Sequence, residues 1–180
     1  MSGCWTVLKS ESILTTPWFE LRKDRCQTPE GAIVPEYYTW KKRDCVIVFP
    51  VTEDNHVLLI KQYRHGVQKI CVDYPGGTID DGQSVLDAAH LELIEETGYY
   101  SEACTPIASY LMDSSYSNQK THFVMALECK KASKTSNAQE VTEVFKVPIS
   151  DISQFAENKI DCLLCSLVTW KALCHLGIRR

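Results

Sequence analysis

The sequence predicts an α/β protein that carries a small antiparallel β subdomain at its N-terminus. Three observations lead there. Residues 1–44 read as strands and turns without a helical period, one helix with both ends marked follows in the middle of the chain, and two helical segments close it. The change of pattern at Cys45 divides the chain into a β subdomain at 1–44 and a larger domain at 45–180.

The N-terminal strands are expected at Trp5–Lys9, Trp18–Cys26 and Ile33–Lys41, the last two joined by the turn Pro29-Glu30-Gly31. Three strands bury little by themselves, so they must pack on the rest of the chain or on a second copy of it. Val46-Ile47-Val48-Phe49 is a short apolar strand, Glu53-Asp54-Asn55 a turn, and Val57-Leu58-Leu59-Ile60 pairs back. A turn-rich stretch through Asp73-Tyr74-Pro75-Gly76-Gly77 leads into the helix, roughly Ser84–Thr97. Ser84 and Asp87 are spaced as a capping box there, and Gly98 stands as the stop. Further strands are expected at Ile107–Met112, Thr121–Glu128 and Val141–Val147, with a polar loop at Lys130–Gln139. Helices are expected around Ile149–Glu157 and Asp161–Leu176, the second with an apolar stripe through Leu164, Val168 and Leu173.

At 180 residues, with 44% hydrophobic and 23% charged, the chain has the composition of an ordinary globular domain. Its net charge of −4 gives no basic field to hold a polyanion, so nucleic acid is not an expected partner. No apolar run approaches the roughly 20 residues that span a bilayer, and the first residues hold no signal-peptide core. No membrane association is expected, and the expected location is the cytoplasm. The nine cysteines are odd in number and scattered, unlike a disulfide scaffold. The close pair Cys162 and Cys165 would need a second pair for a zinc site, and only Cys174-His175 lies near it in sequence, so buried helix cysteines are the favoured reading.

The chemistry concentrates in Glu92, Glu95 and Glu96, three carboxylates on the last turns of the central helix. Like charges at this spacing repel by a few tenths of a kcal/mol, and carboxylates at a helix C-terminus oppose its dipole by about 0.3 to 1 kcal/mol each. A divalent cation reverses both terms, and oxygen ligands suit Mg2+ or Mn2+. A solvated glutamate face is the competing reading. The Gly76-Gly77 turn before the helix favours a site, because glycines let the backbone approach a ligand.

From Gly77 to Tyr99 the sequence resembles the Nudix box, G-x5-E-x7-R-E-U-x-E-E-x-G-U, through Gly77, Glu92, Leu93, Glu95, Glu96 and Gly98. The resemblance runs through nearly the whole chain. Gln62-Tyr63-Arg64, Pro75-Gly76-Gly77, Ala88-Ala89, Gln139–Val144 and Glu157–Asp161 look like the ADP-ribose pyrophosphatase branch of that family, although the branch's marker proline is absent from Asp113–Ser117.

The resemblance implies an α/β/α sandwich with a mixed sheet, and a homodimer built with the N-terminal subdomain, which also contributes to the substrate pocket. It implies Mg2+-dependent hydrolysis, with Mn2+ as the alternative ion, of a nucleoside diphosphate linked to another moiety. ADP-ribose is the foremost substrate, giving AMP and ribose 5-phosphate. By position, Glu92, Glu95, Glu96, Glu140 and the Gly76 carbonyl correspond to metal ligands. Glu95, Glu140 and Glu143 are the catalytic candidates, with Glu140 placed ahead of Glu143 on the late loop, and Arg64 matches a phosphate-binding residue. Trp18, Tyr38 and Trp40 could stack on an adenine, with core or dimer packing the favoured role.

Two positions depart from the box: Gln83 replaces its first glutamate and Leu91 its arginine. In the family that arginine orients the glutamates, so a loosely held metal and low turnover, or a need for Mn2+ or alkaline pH, are expected. The alternative function is a Nudix-fold protein that binds a nucleotide or a partner without turning it over. His90 and Lys61 are the nearby substitutes for the missing cation, His90 on another face of the helix. Leu91 lies one turn from Glu95 with no charge to offer, and the competing expectation is that it packs against the sheet.

Overall fold

The computed structural model describes residues 3–133 and 141–178. The chain divides into two compact units, Met1–Asp44 with Tyr110–Lys120, and Cys45–Ser109 with Thr121–Arg180.

The first unit is a three-stranded antiparallel sheet in the order β1 (Thr6–Thr15), β2 (Glu20–Gln27), β3 (Ile33–Lys41). β1 runs well past the expected Lys9, because Ser10, Ser12 and Thr15 obscure an alternation that pairing with β2 enforces. β2 starts two residues after Trp18. The Thr16 hydroxyl oxygen accepts from the N–H groups of Trp18 and Phe19 and turns the chain there, which leaves Trp18 74% exposed. Tyr116 stacks on Trp40 at 5.4 Å and 17°, and on Tyr37 at 6.1 Å and 26°. The Trp40 N–H donates to the Tyr116 carbonyl at 2.9 Å. β1 is exposed along its whole length.

The second unit is built on a mixed sheet in the order β11 (Val141–Pro148), β5 (His56–Arg64), β4 (Cys45–Thr52), β10 (Lys120–Lys131), β8 (Tyr99–Tyr100). The short strands β6 (Lys69–Asp73) and β7 (Gly76–Thr78) pair with β5 and β4, and β9 (Ala103–Leu111) pairs with β10. The β4–β10 pair is parallel and the other described pairs are antiparallel. β6, β7 and β8 are absent from the sequence expectation: they are five, three and two residues long, too short to display a period.

β4 lies in the middle of the sheet and is covered on both faces, which is why it reads as an almost continuous apolar run. Val46 and Val48 point to one face and share a core with Ala88, Ala89 and Leu93 of α1 (Val85–Thr97). Phe49 points to the other, where its ring meets Tyr74 at 5.3 Å. The Tyr74 hydroxyl in turn bonds Thr169 of α3 (Leu163–His175) at 2.8 Å, and α2 (Ile152–Lys159) packs beside α3. The result is the expected sandwich of helices on both sides of a mixed sheet.

The α1 termini follow their local chemistry. Ser84 accepts from the Asp87 N–H at 3.1 Å and donates to the Asp87 carboxylate at 2.6 Å, and Gly98 ends the helix at φ 70°. The helix buries Ala88, Ala89, Leu93 and Thr97. Leu91 lies off that face and is 45% exposed, which overturns the expectation that it packs against the sheet. α2 starts at Ile152 and not at Ile149, whose N–H is taken by the Asn55 carbonyl at 3.0 Å.

Candidate active site

Three glutamates enter the site from one helix but not from one face. Glu92 and Glu96, four residues apart, lie half-buried beside the buried stripe of α1, whereas Glu95 is exposed. The turn that begins β7 closes on the first two. The Gly76 N–H donates to Glu96 Oε2 at 2.8 Å. A Cβ on Gly77 would stand 1.9 Å from Glu92 Oε1, so only glycine leaves room for that carboxylate, and a Cβ on Gly76 would stand 2.3 Å from the Val46 carbonyl oxygen. The Gly76-Gly77 turn thus forms a cradle against the Glu92 and Glu96 carboxylates.

Gln83, at one departure from the box, has a structural task. Its side-chain oxygen accepts the Asp80 N–H at 3.0 Å, and its own N–H donates to the Asp80 carbonyl at 3.0 Å. A neutral amide serves this turn as well as a carboxylate would. The other departure, Leu91, contributes no charge.

Arg64, at the end of β5, meets Asp73, at the end of β6, through Nε and Nη2, both 2.7 Å from Oδ2. The arginine side chain is 48% exposed and the aspartate 4%. Burial opposes the Arg64 charge, but Asp73 outweighs it, and Glu96 adds to the attraction, so the Arg64 pKa is raised. A positive field on Glu96 therefore comes from Arg64. Neither His90 nor Lys61 was needed to find it in sequence: the signal was Arg64 itself, assigned there only to phosphate. Lys61 is engaged with Glu143 at 2.8 Å across the β5–β11 pair and lies over the Phe145 ring. Glu140 lies outside the described residues.

Arg64, Asp73, Gly76 and Gly77 line a cavity of about 760 Å³, together with Cys162 and Cys165. Volumes of this order hold small-molecule ligands. Cys162 is the N-cap of α3. The neighbouring Cys165 thiol lowers its pKa to about 6 against the cost of burial, with help from the N–H groups of Cys165 and Leu164. Cys162 and burial push Cys165 the opposite way, well above the ordinary thiol value. At the cavity rim Lys69 and Asp161 pair at 2.6 Å.

In the first unit, the ring of Trp40 is occupied by Tyr116, Tyr38 donates to Glu36 at 3.1 Å, and Trp18 is exposed.

The family described as the NUDIX domain matches residues 41–163, and the nucleoside diphosphate sugar hydrolase N-terminal domain matches residues 5–40. The chain belongs to the Nudix family. The ADP-sugar pyrophosphatase of Mus musculus is 34% identical over 136 residues, which are 68% of this chain and 61% of the mouse protein. The ADP-ribose pyrophosphatase of Bacillus subtilis (strain 168) is 26% identical over 154 residues, 84% of this chain and 83% of that protein. A crystal structure of an ADP compounds hydrolase superposes with a TM-score of 0.80 at 23% identity over 97% of each chain, a likeness of fold.

Proposed function

We propose that this chain hydrolyses the pyrophosphate of a nucleoside diphosphate linked to another moiety, ADP-ribose foremost, with Mg2+ or Mn2+, giving AMP and ribose 5-phosphate. The observation that carries the reading is the Gly76-Gly77 turn closed against Glu92 and Glu96. The turn leaves space for the carboxylates that any side chain would fill. The donor set is all oxygen, which fits a hard divalent ion. The names of the mouse and Bacillus subtilis relatives support the same substrate class.

In this reading Glu92, Glu95, Glu96 and the Gly76 carbonyl hold the ion. When bound it neutralises charge on the phosphate undergoing attack. Arg64 keeps Asp73 with two of its nitrogens and turns its half-exposed guanidinium toward substrate phosphate. Glu95, the exposed member of the cluster, also takes a proton from the attacking water in this reading. Glu143 serves there only by releasing Lys61, and Glu140 retains its assignment from sequence.

The exposed edge of β1, with Val7, Leu8 and Ile13 uncovered, supports a homodimer formed through the first unit. Among the described residues no helix is long and apolar enough to cross a membrane. A cytoplasmic location belongs to the proposal on sequence grounds.

The second reading, binding without turnover, is favoured by Leu91, which gives the glutamates no orienting cation. A panel of nucleoside diphosphate derivatives incubated with Mg2+ or Mn2+ separates the two. Cleavage of ADP-ribose above the other compounds supports hydrolysis, and ligand binding without products supports the second reading.

A further inference from the structure

The cavity contains a second group of ligating atoms that pyrophosphate hydrolysis does not use. Asp73, Cys162 and Cys165 each offer one ligand atom, and the three atoms lie within 4.8 Å of one another. Asp73 and Cys165 are buried, Cys162 is half-buried, and all three line the cavity. Arg64 takes Asp73 Oδ2 with both of its contacts, which leaves Oδ1 to accept from the Cys165 thiol at 3.5 Å. A carboxylate fixed through one oxygen so that the other meets the Cys165 sulfur is oriented in the way that outer partners orient metal ligands.

We propose that Asp73, Cys162 and Cys165 form a site for a thiophilic divalent cation, with Zn2+ the ion their chemistry selects, distinct from the glutamate cradle. Two sulfurs and one oxygen discriminate against Mg2+, which prefers oxygen alone. Charge supports the assignment. Two thiolates and a carboxylate carry three negative charges, Arg64 returns one, and a divalent cation brings the group to neutrality inside a largely buried pocket. Binding releases the thiol protons to solvent. Three protein ligands leave the remaining coordination position on the cavity side, open to water or to a ligand oxygen.

The sequence alone hides this site. Asp73 and Cys165 stand ninety-two residues apart, and a third ligand on a short strand replaces the second cysteine pair that spacing rules demand. The proposal does not depend on the hydrolytic reading.

The test is a titration of the full-length, metal-free protein, reduced with a phosphine, with Co2+. The expected result is a thiolate-to-cobalt charge-transfer band with tetrahedral d–d bands, saturating at one equivalent and displaced by Zn2+. Cys162→Ser and Cys165→Ser should each abolish the band, and Asp73→Asn should weaken binding by roughly 10- to 100-fold. Glu95→Gln should leave it unchanged, since glutamate oxygens give no thiolate band. Absence of the band in the wild type overturns the proposal. So does its persistence in both cysteine variants, which assigns it to other cysteines, or its loss in Glu95→Gln. Melting temperatures accompany each titration, and Cys162→Ser, at the half-buried position, decides the matter if Cys165→Ser does not fold.

Discussion

Glu92 Oε1 occupies the space that a side chain at Gly77 would need, since a Cβ on Gly77 would stand 1.9 Å from it. Gly77→Ala should therefore act on the carboxylate and not on the fold. The atom displaced is the tip of a flexible side chain, so stability should fall by about 1 kcal/mol or less. Metal affinity and kcat/KM should fall by roughly 10- to 100-fold. Gly76→Ala is the control: its Cβ meets the Val46 backbone oxygen at 2.3 Å, so the strand itself must move and the melting temperature should drop well below that of Gly77→Ala. Calorimetry paired with Mn2+ titration distinguishes the two.

Arg64→Ala should lower stability by about 3 kcal/mol, toward the lower end for a broken buried pair because the arginine is half exposed. Adding Asp73→Asn removes the stranded carboxylate and should restore most of that loss. It should not restore turnover if Arg64 also binds phosphate. Denaturant unfolding and KM for ADP-ribose, measured on the single and double variants, separate the two roles.

The variant Gln83→Glu with Leu91→Arg should keep the wild-type melting temperature. Glutamate can still accept the Asp80 N–H, and an arginine at an exposed position buries no charge. With a guanidinium beside Glu95, kcat/KM should rise, because fixed carboxylates hold metal in one geometry. A stable variant with no gain on any substrate of the panel would show that Leu91 is not the defect.

The parts of the site legible in sequence are those whose chemistry is local. Ser84, Asp87 and Gly98 mark the ends of α1 by capping alone, and the spacing of Glu92, Glu95 and Glu96 is preserved by any helix. What spacing cannot express is pairing between distant elements. Gly76 bonds Glu96 across twenty residues, and Arg64 reaches Asp73 although the β5–β6 register sets Arg64 opposite Lys69 and Asp73 opposite Ile60. Lys61, plausible in sequence as a cation for the glutamates, is directed by the β5–β11 register to Glu143. The N-terminal strands were recognisable as strands, but β1 has no buried face from which its ends could be read.

The exposed β1 edge leads to an oligomerisation prediction. Light scattering at tens of micromolar should give the mass of two 20.4 kDa chains. A well-folded monomer at that concentration would remove the dimer from the account.

Whether Glu95 and Glu96 would hold the ion that supports hydrolysis of ADP-ribose is tested most directly by kcat/KM for ADP-ribose with saturating Mg2+ or Mn2+ in the wild type, Glu95→Gln and Glu96→Gln. The account predicts AMP and ribose 5-phosphate from the wild type. It predicts a loss of roughly 100-fold or more in each variant, the scale on which single preorganised electrostatic groups act, with melting temperatures near that of the wild type. Equal turnover in all three proteins, or no product from the wild type with either ion, would contradict it.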